Sequence, residues 1–252
     1  MNTLSDTFLH RVRRQLSHFQ QRSILPVPTE GPIVSFSFDD CPCSAIDTAL
    51  PMLEAEDWKA TIYVAVGLCD TVNHLGPHIS RDDIVDLHKR GHEIGDHTYS
   101  HINAKGLDAT KYMADVERNQ RALKDLGLPP SENFAFPFGD VTNVIKKELR
   151  HKFSTLRGVL PPQNSRMDAN FLPAIPIYSG QTEDTALREI ANLQQSQIWL
   201  NLFTHDVREN PSPFGCKIDT FQDIVAAVKQ SGARVMTVRD AYRTVKSEGS
   251  VT

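Results

Sequence analysis

Short apolar runs alternate with helix-patterned segments from residue 33 to residue 240, and this alternation limits the fold more than any other feature of the chain. The runs at 33–38, 61–66, 93–97, 133–138, 153–157, 198–204 and 234–238 are predicted strands. Several are almost continuously apolar, the pattern of parallel strands covered on both faces. The intervening helices have legible ends. Ser80-x-x-Asp83 reads as a capping box, with Ile84 and Leu87 on the buried side of its helix. Segment 108–126 lines up Tyr112, Val116, Leu123 and Leu126 and stops at Gly127, a left-handed cap. Phe221, Ile224, Val225 and Val228 follow an i, i+3, i+4, i+7 pattern that Gly232 closes. Pro51 falls inside a helical stretch, so that helix starts near it or bends there. Such alternation predicts an α/β fold with a parallel sheet, and by itself leaves a barrel and an open doubly wound sheet both open. The Pro- and Asn-containing stretch 160–185 is expected to be a long loop bordering a site.

With 252 residues, 40% hydrophobic and 23% charged, the chain suits one large domain. A net charge of −4 offers no basic excess for a phosphate backbone, which excludes nucleic acid as the expected partner. The first residues hold no apolar core of roughly 7–15 residues, as a secretory signal would, and no stretch is apolar enough to span a bilayer. Cys41, Cys43, Cys69 and Cys216 are therefore expected to be packed thiols in a reducing compartment, and the chain to be cytoplasmic. Residues 1–30 read as an amphipathic helix and linker, with Leu4, Phe8, Val12, Leu16 and Phe19 facing the body of the protein. Weak contact of residues 4–22 with an anionic membrane surface is the alternative. Residues 31–245 form the expected catalytic domain and 246–252 a tail.

The run SFSFDD, residues 35–40, ends in two adjacent carboxylates. Alternation sends neighbouring side chains of a strand to opposite faces, but a last residue where the chain leaves the sheet can break that rule. Asp39 and Asp40 can then share one site if a cation or a shared proton offsets their repulsion. Alone, such a pair reads as a solvated strand end. Two more features fall at the same end of predicted strands, where sites of parallel α/β folds form. GHEIGDHTYSH, residues 91–101, supplies His97 and, four residues on, His101; on a helical turn this spacing puts both imidazoles on one face. IWLNLFTHD, residues 198–206, brings His205. One aspartate with two histidines leaves open positions on a zinc-like ion, as hydrolytic sites require. Trp199 reads as core, His74 and His78 as a solvated loop, and 210–216 as a connecting loop or a rim of the site.

SFDD, HTYSH, FAFPFG and LFTHD, in this order and spacing, resemble the polysaccharide deacetylases, the NodB-homology group also known as carbohydrate esterase family four. The resemblance spans roughly residues 31–245 and implies a distorted (β/α) barrel of about seven parallel strands. It implies a metal-dependent hydrolase that removes an N-acetyl group from an amino sugar in an oligosaccharide, glycan or lipid-linked precursor. Asp40, His97 and His101 match the metal triad, for zinc or else cobalt, nickel or manganese. Asp39 matches the general base, His205 the general acid, and the backbone N–H of Phe138 an oxyanion donor. Three departures stand out. Ala135 occupies the place of an arginine that contacts the base, and Arg157 at a neighbouring strand end is the expected replacement. The Asp-x-x-Asp-Trp motif that tunes the acid histidine is missing after Gly139, so nothing in the sequence names what orients His205. Cys41 stands where glycine is usual, and a thiolate there would reach the metal. An O-acetyl esterase, a non-sugar amidase, and a catalytically impaired carbohydrate-binding homologue are the alternatives.

Overall fold

The computed structural model describes residues 17, 19–160, 167–196 and 198–249. Ten short strands appear among them: β1 (Ile33–Asp39), β2 (Thr61–Val64), β3 (Val72–Asn73), β4 (Gly76–Pro77), β5 (Glu93–Asp96), β6 (Asn133–Ala135), β7 (Thr155–Arg157), β8 (Ile175–Pro176), β9 (Trp199–Thr204) and β10 (Arg234–Val235). The main sheet runs β7-β6-β5-β2-β1-β9-β8, with every pair parallel. β10 joins Ile33 and Val34 on the same edge of β1 that β2 takes at Ser37–Asp39. The two ends of the sheet meet through segment 172–176. Leu172 N–H donates to Leu156 O (2.7 Å) and Leu172 O accepts from Gly158 N–H (3.0 Å), while Ile175 and Pro176 pair with Leu202 and Phe203 of β9. The result is a distorted (β/α) barrel, closed across a short irregular seam.

Period-2 alternation along β1 sets the inside and the outside of this barrel. Val34, Phe36 and Phe38 belong to the outer core, where Phe36 and Phe38 meet Phe221 at 6.0 and 5.9 Å. The other parity, Ser35, Ser37 and Asp39, lines a polar interior. Ser35 Oγ accepts from Trp199 Nε1 (2.9 Å), so the expected core tryptophan is buried with its one donor satisfied.

Eight helices surround the strands among the described residues: α1 (Leu50–Glu54), α2 (Arg81–Lys89), α3 (Ala109–Asp125), α4 (Asn143–Leu149), α5 (Glu183–Ala191), α6 (Leu193–Ser196), α7 (Ile218–Ser231) and α8 (Val238–Glu248). Pro51 sits at the start of α1 directly behind a π-turn at Ala45–Ala49, so the helical run widens just where a proline interrupts its regular bonding. The capping box of α2 is formed in both directions: Ser80 Oγ accepts from Asp83 N–H (3.2 Å) and Asp83 Oδ2 from Ser80 N–H (2.8 Å). Gly127 (φ 80°) and Gly232 (φ 66°) adopt the left-handed backbone that ends α3 and α7.

Three expectations need correction. Stretch 160–185 is not one loop: its described part contains a 3-10 turn, the seam residue Leu172 and β8, because an exposed barrel edge recruits whatever backbone passes it. Residues 72–77 form a two-stranded hairpin, and His78 after it is buried rather than solvated, since its backbone bridges Pro42 beside the carboxylate pair. Several strands are shorter than their apolar runs, since the chain turns into 3-10 geometry at Val66–Leu68 and at Pro137–Gly139. Of the amphipathic helix proposed for the start of the chain, Leu4, Phe8, Val12 and Leu16 lie outside the described residues, and Phe19 is exposed. No helix among the described residues is long and apolar enough to cross a membrane.

One ion pair outside the barrel carries a pH signature. Glu54 accepts from Arg90 Nε (3.0 Å) and Nη2 (2.8 Å) and from His92 Nε2 (3.0 Å), and the Arg90 bonds first of all hold its carboxyl down at about 2, against an ordinary 4.5. A depressed carboxyl adds stability that is complete above its unfolded value and lost as pH falls through its folded one. Glu54→Gln is therefore expected to cost about 1 kcal/mol at pH 7, after discounting for its partial exposure. The difference from wild type should fade between pH 4.5 and about 2 in urea titrations.

Candidate active site

β1 and β5 deliver three of the expected groups to one point at the C-terminal mouth of the barrel. Asp40, His97 and His101 offer ligand atoms that all lie within 4.8 Å of one another. Asp40 Oδ1 is 3.5 Å from His97 Nε2 and 3.2 Å from His101 Nε2. His97 Nδ1–H donates to the Ala135 carbonyl (2.8 Å), which leaves a lone pair on Nε2. Burial pushes His97 down to about 3 and His101 down to about 4, so both rings are neutral at pH 7. An imidazole lone pair thus points at a carboxylate oxygen that has no hydrogen-bond partner among the described residues. Those atoms repel one another unless a cation or a shared proton lies between them. The donor set, two imidazole nitrogens and one carboxylate, suits zinc or a similar divalent ion. Burial also pushes Asp40 up to about 6, against the pull of His205 and with the push of Asp39, a cost that a bound cation would reverse.

Backbone strain explains how adjacent residues reach one site. Asp40 and Cys41 both have φ 63°, so the chain reverses its alternation where β1 ends and Asp40 swings to the side of Asp39. Thr98 (φ 60°) and His101 (φ 50°) bend the segment between the two histidines, which is therefore not the helical turn that their spacing suggests. Asp96 holds that bend by accepting from Thr98 N–H (2.9 Å), and Thr98 Oγ1 accepts from Ile102 N–H (3.2 Å). Phe138 (φ 60°) is strained in the same way, its ring 4.5 Å from that of His101. Of the eight non-glycine residues with positive φ among the described residues, these five belong to the cluster or to the segments that flank it. Each left-handed residue costs about 1–2 kcal/mol, and strain concentrated in this way marks a functional site.

Asp39 lies inside the barrel mouth, paired with the fully buried guanidinium of Arg157 through Nη2 and Oδ2. Arg157 stands beside Ala135 in the β6–β7 register, so the guanidinium that the family pattern places on β6 enters here from the neighbouring strand at the same level. It lies over Phe203 (4.4 Å) and Tyr63 (5.2 Å), which fix its plane. Burial acts to raise Asp39, but Arg157, with His97 and His205, outweighs it and holds the carboxyl below its ordinary value. Its second oxygen, Oδ1, has no partner among the described residues.

His205 follows β9 directly and is half-buried among the rings of Tyr178, Phe203 and Phe214, about 6 Å away. Its Nδ1–H donates to the Phe214 carbonyl (3.0 Å), which leaves Nε2 for the cleft. Segment 210–216 is therefore part of the site, and its contribution is a backbone carbonyl, a group that no residue type announces. Cys41 takes no place in the cluster. Its Sγ points to Tyr63 O (3.9 Å) and burial pushes the thiol well above its ordinary value, so Cys41 is a packed thiol, as expected of the four cysteines, and not a ligand of the cluster.

Solved structures share this architecture. The chain is similar to a chitin deacetylase from Colletotrichum lindemuthianum, with a TM-score of 0.62, 17% identity, and coverage of 86% of this chain and 89% of that one. It is similar to a family 4 acetyl xylan esterase from Clostridium thermocellum in complex with a cobalt ion (TM-score 0.58, 18% identity, 84% and 90% covered). A peptidoglycan deacetylase from Bacillus subtilis aligns with a TM-score of 0.58 at 15% identity, over 89% and 95% of the two chains. No curated protein sequence matches the chain. The sequence model described as polysaccharide deacetylase does match, over residues 27–153, the half that carries both carboxylates and both cluster histidines, and this chain belongs to the polysaccharide deacetylase family.

Proposed function

We propose that this protein removes the N-acetyl group of an amino sugar, with a divalent metal ion, zinc before cobalt, nickel or manganese, held by Asp40, His97 and His101. The observation that carries the reading is the convergence of two neutral imidazoles on an unpartnered carboxylate, beside a second carboxylate neutralised by Arg157. The ion would supply Lewis acidity toward the acyl oxygen and toward water.

The protein's own groups move the protons. Asp39 is held ionised by Arg157 on Oδ2, and its Oδ1 takes the proton of the attacking water. The backbone N–H of Phe138 helps to hold the charge that develops on the acyl oxygen. A protonated His205, kept in orientation through Nδ1, gives its Nε2 proton to the departing amine. Four unpaired thiols suit a reducing, cytoplasmic setting, and a lipid-linked or oligosaccharide precursor suits that compartment as substrate.

Purified protein supplied with Zn²⁺ or Co²⁺ is expected to release acetate from N-acetylglucosamine oligomers, and to stop when the metal is chelated. Acetate from an acetylated xylan, with none from any N-acetylated amino sugar, would move the activity to an O-acetyl esterase.

A further inference from the structure

The orientation of His205 depends on a carbonyl at the far end of a ten-residue excursion, and that excursion is wound around a single buried anion. Asp206 is fully buried. Its Oδ1 accepts from Ser212 Oγ (2.5 Å), and its Oδ2 from Ser212 N–H (2.8 Å) and Arg208 Nε (2.8 Å). Ser212 Oγ in turn accepts from Phe214 N–H (3.1 Å), and the Asp206 carbonyl accepts from Cys216 N–H (2.9 Å). The chain passes so close that a Cβ on Gly215 would lie 2.3 Å from both the carbonyl oxygen and Oδ1 of Asp206. In consequence the Phe214 carbonyl faces back to His205 and accepts from both its backbone N–H (3.3 Å) and its Nδ1–H (3.0 Å).

We infer that Asp206 is a positioning residue: through Ser212 and the Phe214 carbonyl it holds the His205 Nδ1–H inward, so that the neutral ring is the Nδ1–H tautomer and Nε2, which carries the transferred proton when the ring is protonated, faces the substrate. The inference rests on the reading of His205 as proton donor for its catalytic consequence, while the tautomer itself can be read without turnover. It also accounts for the missing Asp-x-x-Asp-Trp motif. A carboxylate elsewhere need not touch the imidazole when one adjacent in sequence folds the loop that presents a carbonyl to it. Both carboxylate oxygens are occupied by donors from the loop itself, so Asp206 acts as a template for this loop and as no second cation site. The template extends to the rim, since Arg208 Nη2 also donates to the carbonyl of His74 (3.4 Å) on the β3–β4 hairpin.

The test uses the full-length protein, metal-loaded for kinetics, with Asp206→Asn and Ser212→Ala. The amide of Asp206→Asn puts a donor where the loop needs an acceptor. Its kcat should fall about 100-fold, the cost of an ångström of misplacement, while KM and metal content hold. Ser212→Ala removes only the hydroxyl bridge and should lose about fivefold. In ring-nitrogen NMR of the His205 imidazole, wild type should show the Nδ1–H tautomer and both variants a shift toward Nε2–H. Retention of the wild-type tautomer in Ser212→Ala, and in Asp206→Asn where it folds, would overturn the inference. If wild-type protein deacetylates nothing, the activity reading fails, while the tautomer measurement still decides the role of Asp206.

Discussion

His97→Ala is expected to lower turnover on an N-acetylated amino sugar by about 10³-fold or more, the equivalent of about 4 kcal/mol of transition-state stabilisation supplied by a Lewis acid. His97 is the most constrained ligand of the three. Its ring is buried and its tautomer is set by the Ala135 carbonyl. Asp40 and His101 cannot hold the ion tightly as a pair, so metal analysis of protein purified without chelator should drop from about one ion per chain to about a tenth of that. Stability gives a readout independent of turnover. A ligand that binds only the folded state at 100 times its Kd stabilises by about 2.7 kcal/mol. Added Zn²⁺ should therefore raise the melting temperature of wild type and leave that of His97→Ala nearly unmoved. A variant that keeps a full equivalent of metal and the zinc-dependent shift would show that the three groups do not form the site.

How much of this was legible in the sequence follows from which groups carry it. Helix ends were, because caps use specific residue types: Asp83 closes the box with Ser80, and Gly127 and Gly232 take left-handed backbone. The placement of Asp39, Asp40, His97 and His205 was too, since each stands at a strand end and the parallel sheet gathers those ends at one mouth, whereas His101 arrives only through the bend after β5. Arg157 is at a strand end, but only the register shows why it reaches Asp39: it stands opposite Ala135. The illegible parts are backbone events. A left-handed Asp40, a closing seam at Leu172 and a Phe214 carbonyl that accepts from His205 arise from tertiary packing that overrides local preference. His78 departs from the expected solvated loop for a related reason, since the chain leaving a hairpin of two-residue strands bridges to Pro42 and buries it.

Arg157→Met should destabilise the barrel interior strongly. Methionine fills much of the aliphatic volume between Phe203 and Tyr63 but leaves the buried Asp39 carboxylate without its counter-charge, a loss of about 3–5 kcal/mol. Arg157→Lys keeps the charge without the planar guanidinium that lies over both rings, and should fall between wild type and methionine. The pH dependence fixes the cause. In wild type the Asp39 carboxyl sits below its ordinary 3.8, so its pairing contributes stability above that pH and loses it as pH falls through the folded value. Without Arg157 the burial that opposes ionisation dominates and the folded value rises above 3.8. The deficit of Arg157→Met should then shrink as pH falls, in denaturant titrations with chelator present. The double variant Asp39→Asn/Arg157→Met removes the stranded charge as well, and should recover more than half of the stability that Arg157→Met alone loses. If the double variant is as unstable as the sum of the singles, the two residues are not coupled through charge, and Arg157 supports the barrel by packing alone.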